Sequence, residues 1–134
     1  MLKGSCLCGK VTYEIEGELG PGFFCHCQRC RKANGSVFAA NARIDKSQFK
    51  LLSGADVLKG YLAPTGLVRK FCGECGSPIV SERNEPPMLA VRLGTLDTPL
   101  SEVPVKGHIF VNSKSEWLEI HDDLPQFPER PVMK

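Results

Sequence analysis

An all-β, single-domain protein is predicted by three observations. Thirteen Gly and ten Pro cut the 134 residues into short segments. Almost none of these holds a helical period beyond two turns, the habit of a chain built from strands and turns. The clearest segment, residues 10–16, alternates Val11, Tyr13 and Ile15 with Thr12, Glu14 and Glu16. That period of two sends one face into a core and the other into water.

The remaining elements follow in order. Residues 36–44, 57–62, 67–71, 78–81, 88–93 and 107–111 are further strands, each rich in apolar or β-branched side chains. Turns separate them at Gly54, Pro64-Thr65-Gly66, Asn84-Glu85-Pro86-Pro87 and Asp97-Thr98-Pro99. Two short helical turns interrupt the strands. Residues 28–34 stop at Gly35, a residue free to take the left-handed conformation that ends helices. Residues 45–49 open on Asp45, an N-cap type, with Gln48 three positions on, a loose capping box. From about residue 122 to 134 the chain is Pro-rich and reads as an extended tail, lying on the body or frayed from it. No repeat or linker divides the chain, so residues 1–134 form one domain.

Composition narrows the function. Seventeen Lys and Arg stand against fifteen Asp and Glu, and they are scattered. The balance supports neither a nucleic-acid stripe nor an acidic tail, and no apolar run approaches the eighteen or so residues of a membrane span. At 42% hydrophobic, with seven Phe, two Tyr and one Trp, the core is modest, so a structural metal would add usefully to stability.

The chemistry lies in seven cysteines in three clusters: Cys6-Leu7-Cys8, Cys25-His26-Cys27-Gln28-Arg29-Cys30 and Cys72-Gly73-Glu74-Cys75. A disulfide framework would call for an oxidising compartment and normally an even count. The opening Met1-Leu2-Lys3-Gly4-Ser5 lacks the apolar stretch of a signal peptide, so a reduced, cytoplasmic setting is expected. Short Cys spacings are those of metal knuckles, and the count is four plus three. Four thiolates close a tetrahedral zinc; three leave a corner open. A CxC pair grips a metal from an extended segment because alternate residues point the same way, and CxxC does so from a glycine-assisted turn. Cys25, Cys27 and Cys30 combine both spacings and can give three ligands from one segment. Spacing leaves the partition open, since Cys27/Cys30 with Cys72/Cys75 would equally make a ribbon-like four-cysteine site.

The pattern Gly4-Ser5-Cys6-Leu7-Cys8-Gly9-Lys10-Val11, then Cys25-His26-Cys27-Gln28-Arg29-Cys30-Arg31-Lys32 with Gly35, then Phe71-Cys72-Gly73-Glu74-Cys75-Gly76, resembles the family of glutathione-dependent formaldehyde-activating enzymes, which also includes centromere protein V. Gly94-Thr95-Leu96-Asp97 and Trp117 look like its C-terminal landmarks, so the resemblance spans nearly the whole chain. It implies an Mss4-like fold of small twisted antiparallel sheets stapled by zinc. It also implies two zinc ions: a structural one on Cys6, Cys8, Cys72 and Cys75, and a catalytic one on Cys25, Cys27 and Cys30. The implied activity is that of a carbon–sulfur lyase resembling S-(hydroxymethyl)glutathione synthase, which adds a thiol, glutathione or similar, to formaldehyde or another small aldehyde. Three thiolates on Zn²⁺ leave a formal negative charge, which suits binding a thiol better than splitting water.

Other residues are weighed against plainer roles. Arg29, Arg31 and Lys32 are candidates to receive the carboxylates of a glutathione-like substrate, with a solvated helix face as the alternative. His26, between two ligands, is turned from the metal by strand alternation and has a solvent or packing role. His108 and His121, far from any cluster, read as strand-end or surface residues, and Trp117 and Phe110 as core. The rival function is a non-enzymatic zinc-stapled β module that binds a protein or nucleic acid, or a catalytically silent family member. The module would close two four-ligand sites, which needs an eighth cysteine or His26 in its place. The basic group Arg29-Cys30-Arg31-Lys32 is short and carries no interleaved aromatics for base stacking.

Overall fold

In the computed structural model, which describes residues 1–102 and 104–131, ten strands and a single α-helix alternate with short turns. In chain order they are β1 (Leu2–Ser5), β2 (Thr12–Ile15), β3 (Gly22–Cys25), α1 (Gln28–Asn34), β4 (Ala39–Asp45), β5 (Phe49–Ser53), β6 (Leu58–Leu62), β7 (Val68–Cys72), β8 (Pro78–Asn84), β9 (Pro87–Arg92) and β10 (Val105–Ile109). They form two sheets, a three-stranded one ordered β1-β2-β5 and a seven-stranded one ordered β10-β3-β4-β9-β8-β7-β6. The all-β expectation holds, with two departures from small antiparallel sheets. The larger sheet is wide, and β10 runs parallel to β3 while the other pairs are antiparallel.

Alternation explains how the sheets meet. Val11, Tyr13 and Ile15 are fully buried, as their period of two requires. They pack with Ile44, Ile79, Val80, Leu89 and Val91 of the larger sheet, so the main core lies between the two sheets. A second, smaller cluster gathers Cys25, Cys30, Ala39 and Ile109 with Phe23, Phe110 and Phe127. The two clusters divide the molecule into a packing half and a half centred on the middle cysteines.

The strands expected at 10–16, 36–44, 57–62, 67–71, 78–81, 88–93 and 107–111 are all present with shifted ends. β8 continues to Asn84 and β9 begins at Pro87, so Glu85-Pro86 alone joins them. β10 starts two residues early and stops at Ile109, because Val111 opens a short 3-10 turn. Three strands had no sequence signal. β1, β3 and β5 are four or five residues long, and Leu-Lys-Gly-Ser and Gly-Phe-Phe-Cys show no alternation; partners on the sheet hold them extended. Helix α1 and its left-handed Gly35 cap are as predicted, and Asp45 and Gln48 form a full capping box. The tail lies on the body: His108 N–H donates to the Pro125 carbonyl at 2.8 Å and Phe127 N–H donates to the His108 carbonyl at 2.9 Å. The end of the expected tail, 132–134, lies outside the described residues.

Candidate active site

The four-sulfur cluster joins the two sheets. Cys6 and Cys8 follow β1, Cys72 ends β7, and Cys75 sits in the turn before β8. One sulfur from each lies within 4.8 Å of the other three. The turns that bring them there need a left-handed glycine after each pair, and Gly9 at φ 81° and Gly76 at φ 79° supply it. Their amides close the loops, Gly9 N–H donating to the Cys6 carbonyl at 3.1 Å and Gly76 N–H to the Cys72 carbonyl at 2.8 Å. Ser77 ties the knuckles together: its hydroxyl accepts from the Leu7 amide at 2.9 Å and lies 3.4 Å from the Cys75 sulfur. The Ser77 hydroxyl and amide draw the Cys75 thiol down to about 5, toward the thiolate that a metal needs.

The three-sulfur cluster is built by one strand end and the first turn of α1. Cys25 closes β3, and Cys27 is the helix N-cap, its sulfur accepting from the Cys30 amide at 3.3 Å. Cys25 and Cys30 are buried and Cys27 is half-buried, and the three sulfurs again lie within 4.8 Å of one another. Hydrogen bonds from Cys25 and Cys30, with the Cys30 and Arg29 amides, hold the Cys27 thiol down to about 2. Hydrogen bonding with Cys27 and Cys30, with burial, pushes Cys25 up. The sulfurs thus share negative charge that a soft cation would stabilise in place of protons. Both sets are all-sulfur, the donor type favoured by zinc and other thiophilic metals.

His26 points away from the sulfurs, into the packing role expected for it. It is fully buried, its Nε2 lies 2.8 Å from His108 Nδ1, and His108 Nε2 reaches the Asp122 carboxylate at 2.9 and 3.1 Å. The carboxylate can only accept, so His108 carries its proton on Nε2 and accepts from His26 Nε2–H. Burial above all lowers His26 to about 4 and keeps it neutral. His26 N–H also donates to the Ile109 carbonyl at 3.0 Å, so β10 and the tail fix the backbone between two of the sulfurs. His108 stands at the end of β10 as read, but the surface alternative is corrected: it is 2% exposed, because the tail folds Asp122 over it. Trp117 is corrected as well, standing 76% exposed outside the core, whereas Phe110 packs on the cluster around Cys25 and Cys30.

Beside the three-sulfur cluster opens a cavity of about 210 Å³ that touches Cys25 and Cys30 and none of the other five cysteines. Its lining carries Arg43, Arg69, Arg83, Arg92 and Arg130 and no Asp or Glu among the described residues. Arg92 is 6% exposed; one terminal nitrogen donates to Asn41 Oδ1 at 2.7 Å and the other to the Ser81 hydroxyl. Burial lowers Arg92 to about 10, which still leaves it charged at neutral pH. Arg29, Arg31 and Lys32 do not line this cavity: Arg29 and Lys32 are exposed on α1, and Arg31 Nε donates to the His26 carbonyl at 3.3 Å. Arg43, Arg69, Arg83 and Arg92 escaped sequence reasoning because each stands on a strand face turned from the main core, where a solvated side chain is the ordinary occupant. The signal available was their recurrence: Arg43, Arg69, Arg83 and Arg92 stand on four separate strands.

Comparison with known proteins agrees with this arrangement. The profile of the family described as glutathione-dependent formaldehyde-activating enzyme matches residues 1–113. A Halomonas elongata protein provisionally named as such an enzyme is 30% identical over 128 residues, covering 90% of this chain and 81% of its own. Similarly named proteins of Aspergillus flavus and Aspergillus oryzae are each 31% identical over 74 residues, 54% of this chain and 39% of theirs. A crystal structure of a Rhodobacter sphaeroides protein superposes with a TM-score of 0.62 at 28% identity, over 77% of this chain and 98% of that one. With a family match over residues 1–113, most of its length, the chain belongs to the glutathione-dependent formaldehyde-activating enzyme family.

Proposed function

We propose that the protein is a zinc-dependent carbon–sulfur lyase that joins a thiol, glutathione or a relative of it, to formaldehyde or another small aldehyde. The observation that carries the reading is an asymmetry: of the two cysteine clusters able to hold a metal among the described residues, the three-sulfur one lies on the arginine-lined cavity and the four-sulfur one does not. Cys6, Cys8, Cys72 and Cys75 would hold a structural zinc and Cys25, Cys27 and Cys30 a second. Bound there, zinc would supply a fourth position at which a thiol is held as its thiolate. The protein's own part is placement. The Asp122–His108–His26 chain holds the backbone between Cys25 and Cys27, the Cys27 cap fixes Cys30, and the cavity beside Cys25 and Cys30 receives the rest of the thiol molecule. In the addition, a carbon–sulfur bond forms as the carbonyl π pair moves to oxygen. Oxygen gains one proton as sulfur gives one up, so the sum is redox-neutral and reversible.

The test is the rate of S-hydroxymethylglutathione formation by zinc-loaded protein, followed by exchange NMR at equilibrium, where spontaneous addition sets the baseline. Exchange faster than that baseline, and lost on Cys27→Ser, is expected. No acceleration with a panel of thiols and aldehydes would favour the non-enzymatic reading, a zinc-stapled module or a catalytically silent member.

A further inference from the structure

We propose that the arginine-lined cavity beside Cys25 and Cys30 selects an acidic thiol, one bearing two carboxylates and no ammonium group. The inference rests on the proposed role of the three-sulfur cluster for where the thiol sulfur goes, and on the cavity itself for the rest of the molecule.

The cavity floor is one face of the larger sheet. Asn41 and Arg43 of β4, Met88, Ala90 and Arg92 of β9, and Ser81 and Arg83 of β8 alternate with Ala42, Leu89, Val91 and Glu82, which face the other way. Register fixes the row: Arg43 pairs with Ala90, Ala90 with Ser81, and Ser81 with Arg69. Three strand spacings therefore separate the Arg43 and Arg69 backbones, about 14 Å. Arg92 lies two residues to one side of that row and Arg83 two residues to the other, and Arg130 of the tail stands over the Phe110 ring at 5.5 Å.

None of these five arginines makes an ion pair among the described residues. Arg92 Nε and Arg69 Nη1 are buried donors with no partner, although Arg92 is otherwise held by Asn41 and Ser81. Buried donors are nearly always satisfied, so two orphaned guanidinium donors at one cavity point to an acceptor that arrives with the ligand. Guanidinium forks match carboxylates, and charge spread along a row of strands suits two separated acidic groups better than one compact phosphate. Glutathione brings two carboxylates but also an ammonium, for which the lining offers no acid. A dicarboxylate thiol such as mercaptosuccinate lacks that mismatch.

The experiment uses cobalt-substituted protein, whose absorption reports a thiol reaching the metal, with calorimetry on the zinc-loaded protein reporting the cavity alone. Mercaptosuccinate should bind about a hundredfold tighter than 2-mercaptoethanol, about tenfold for each of two charge-assisted contacts, and about tenfold tighter than glutathione, whose ammonium meets only arginines. Succinate, which has no thiol, should bind by calorimetry and compete with mercaptosuccinate. Arg69→Gln should lower mercaptosuccinate affinity about tenfold and shrink its margin over 2-mercaptoethanol. Arg83→Gln, at the less buried end of the cavity, serves if Arg69→Gln does not fold. Succinate binding without any thiol-induced absorption change would uphold the acidic cavity while rejecting the thiol-addition reading. Equal affinity across the thiols, inorganic phosphate displacing mercaptosuccinate better than succinate does, or an Arg→Gln loss shared equally by 2-mercaptoethanol would overturn the proposal.

Discussion

Glu82 shows how a single side chain can be charged at the margin of an apolar core. It sits opposite Leu89 on the core side of β8, yet Lys70 Nζ at 2.8 Å and Lys46 Nζ at 3.0 Å satisfy its carboxylate. The Lys70 hydrogen bond, outweighing burial and aided by Lys46, holds it below its ordinary 4.5. A depressed folded-state value stabilises above 4.5, and the contribution disappears as pH falls through the lowered value. Partial exposure keeps the contribution near 0.5–1 kcal/mol. Glu82→Gln should therefore lower the melting temperature by a few degrees at pH 7, with a deficit that shrinks as pH falls below 4.5, a pattern read from paired thermal melts over the pH range in which zinc stays bound. An equal deficit at both ends would mean that Glu82 acts through packing rather than charge. At this same scale the sequence was readable for the cysteines, whose spacing carries chemistry whatever the fold, and for His26, which alternation turns away from the sulfurs. His108 was not readable, because its partner Asp122 arrives from a tail fourteen residues on that has no strand signal of its own.

Elements explain why the two cysteine clusters should respond differently to mutation. Cys6 and Cys8 belong to the β1 side of the small sheet and Cys72 and Cys75 to the β7–β8 turn of the large one, so their cluster bridges segments more than sixty residues apart. Structural zinc sites contribute on the order of 10–16 kcal/mol of apparent binding free energy, as large as the roughly 5–15 kcal/mol of a whole fold. Cys8→Ser and Cys72→Ser should yield unfolded or aggregated protein. The middle cluster comes from one continuous segment already framed by β3 and α1, and a serine at 27 keeps an oxygen able to cap the Cys30 amide. Cys27→Ser and Cys30→Ser should stay folded with one zinc instead of two. Thermal unfolding and zinc content, measured on all four variants, check this; collapse of the middle-cluster pair to the same degree would defeat the division. The strands with clear alternation were visible in the sequence, as was the Asp45 capping box. β1, β3 and β5 were not, since four or five residues without a period become strands only through the neighbours that pair with them.

For the molecule as a whole, two metal sites of four and three sulfurs should release their ions at unlike rates. Protein reconstituted with zinc should carry two ions, and mild chelation should strip the one beside the cavity first, because the cavity gives the chelator an entry path. Metal analysis over a chelator time course would show two phases; a single site after reconstitution would refute the four-plus-three partition. The sequence by itself determined the strand-and-turn class, the grouping of seven cysteines and, through their pattern, the family, because spacing of two and three residues is local geometry that no fold has to supply. Which cysteines stand together was settled by tertiary structure, which brings β1 to β7 and leaves Cys27 and Cys30 with Cys25 rather than with Cys72 and Cys75. The cavity was decided there too. Arg43, Arg69, Arg83 and Arg92 are isolated basic residues along the chain, and only the order β4-β9-β8-β7 sets them side by side on one face. Alternation tells each strand which residues share a side, but the side that meets the core and the strand that lies next to it are fixed by long-range pairing.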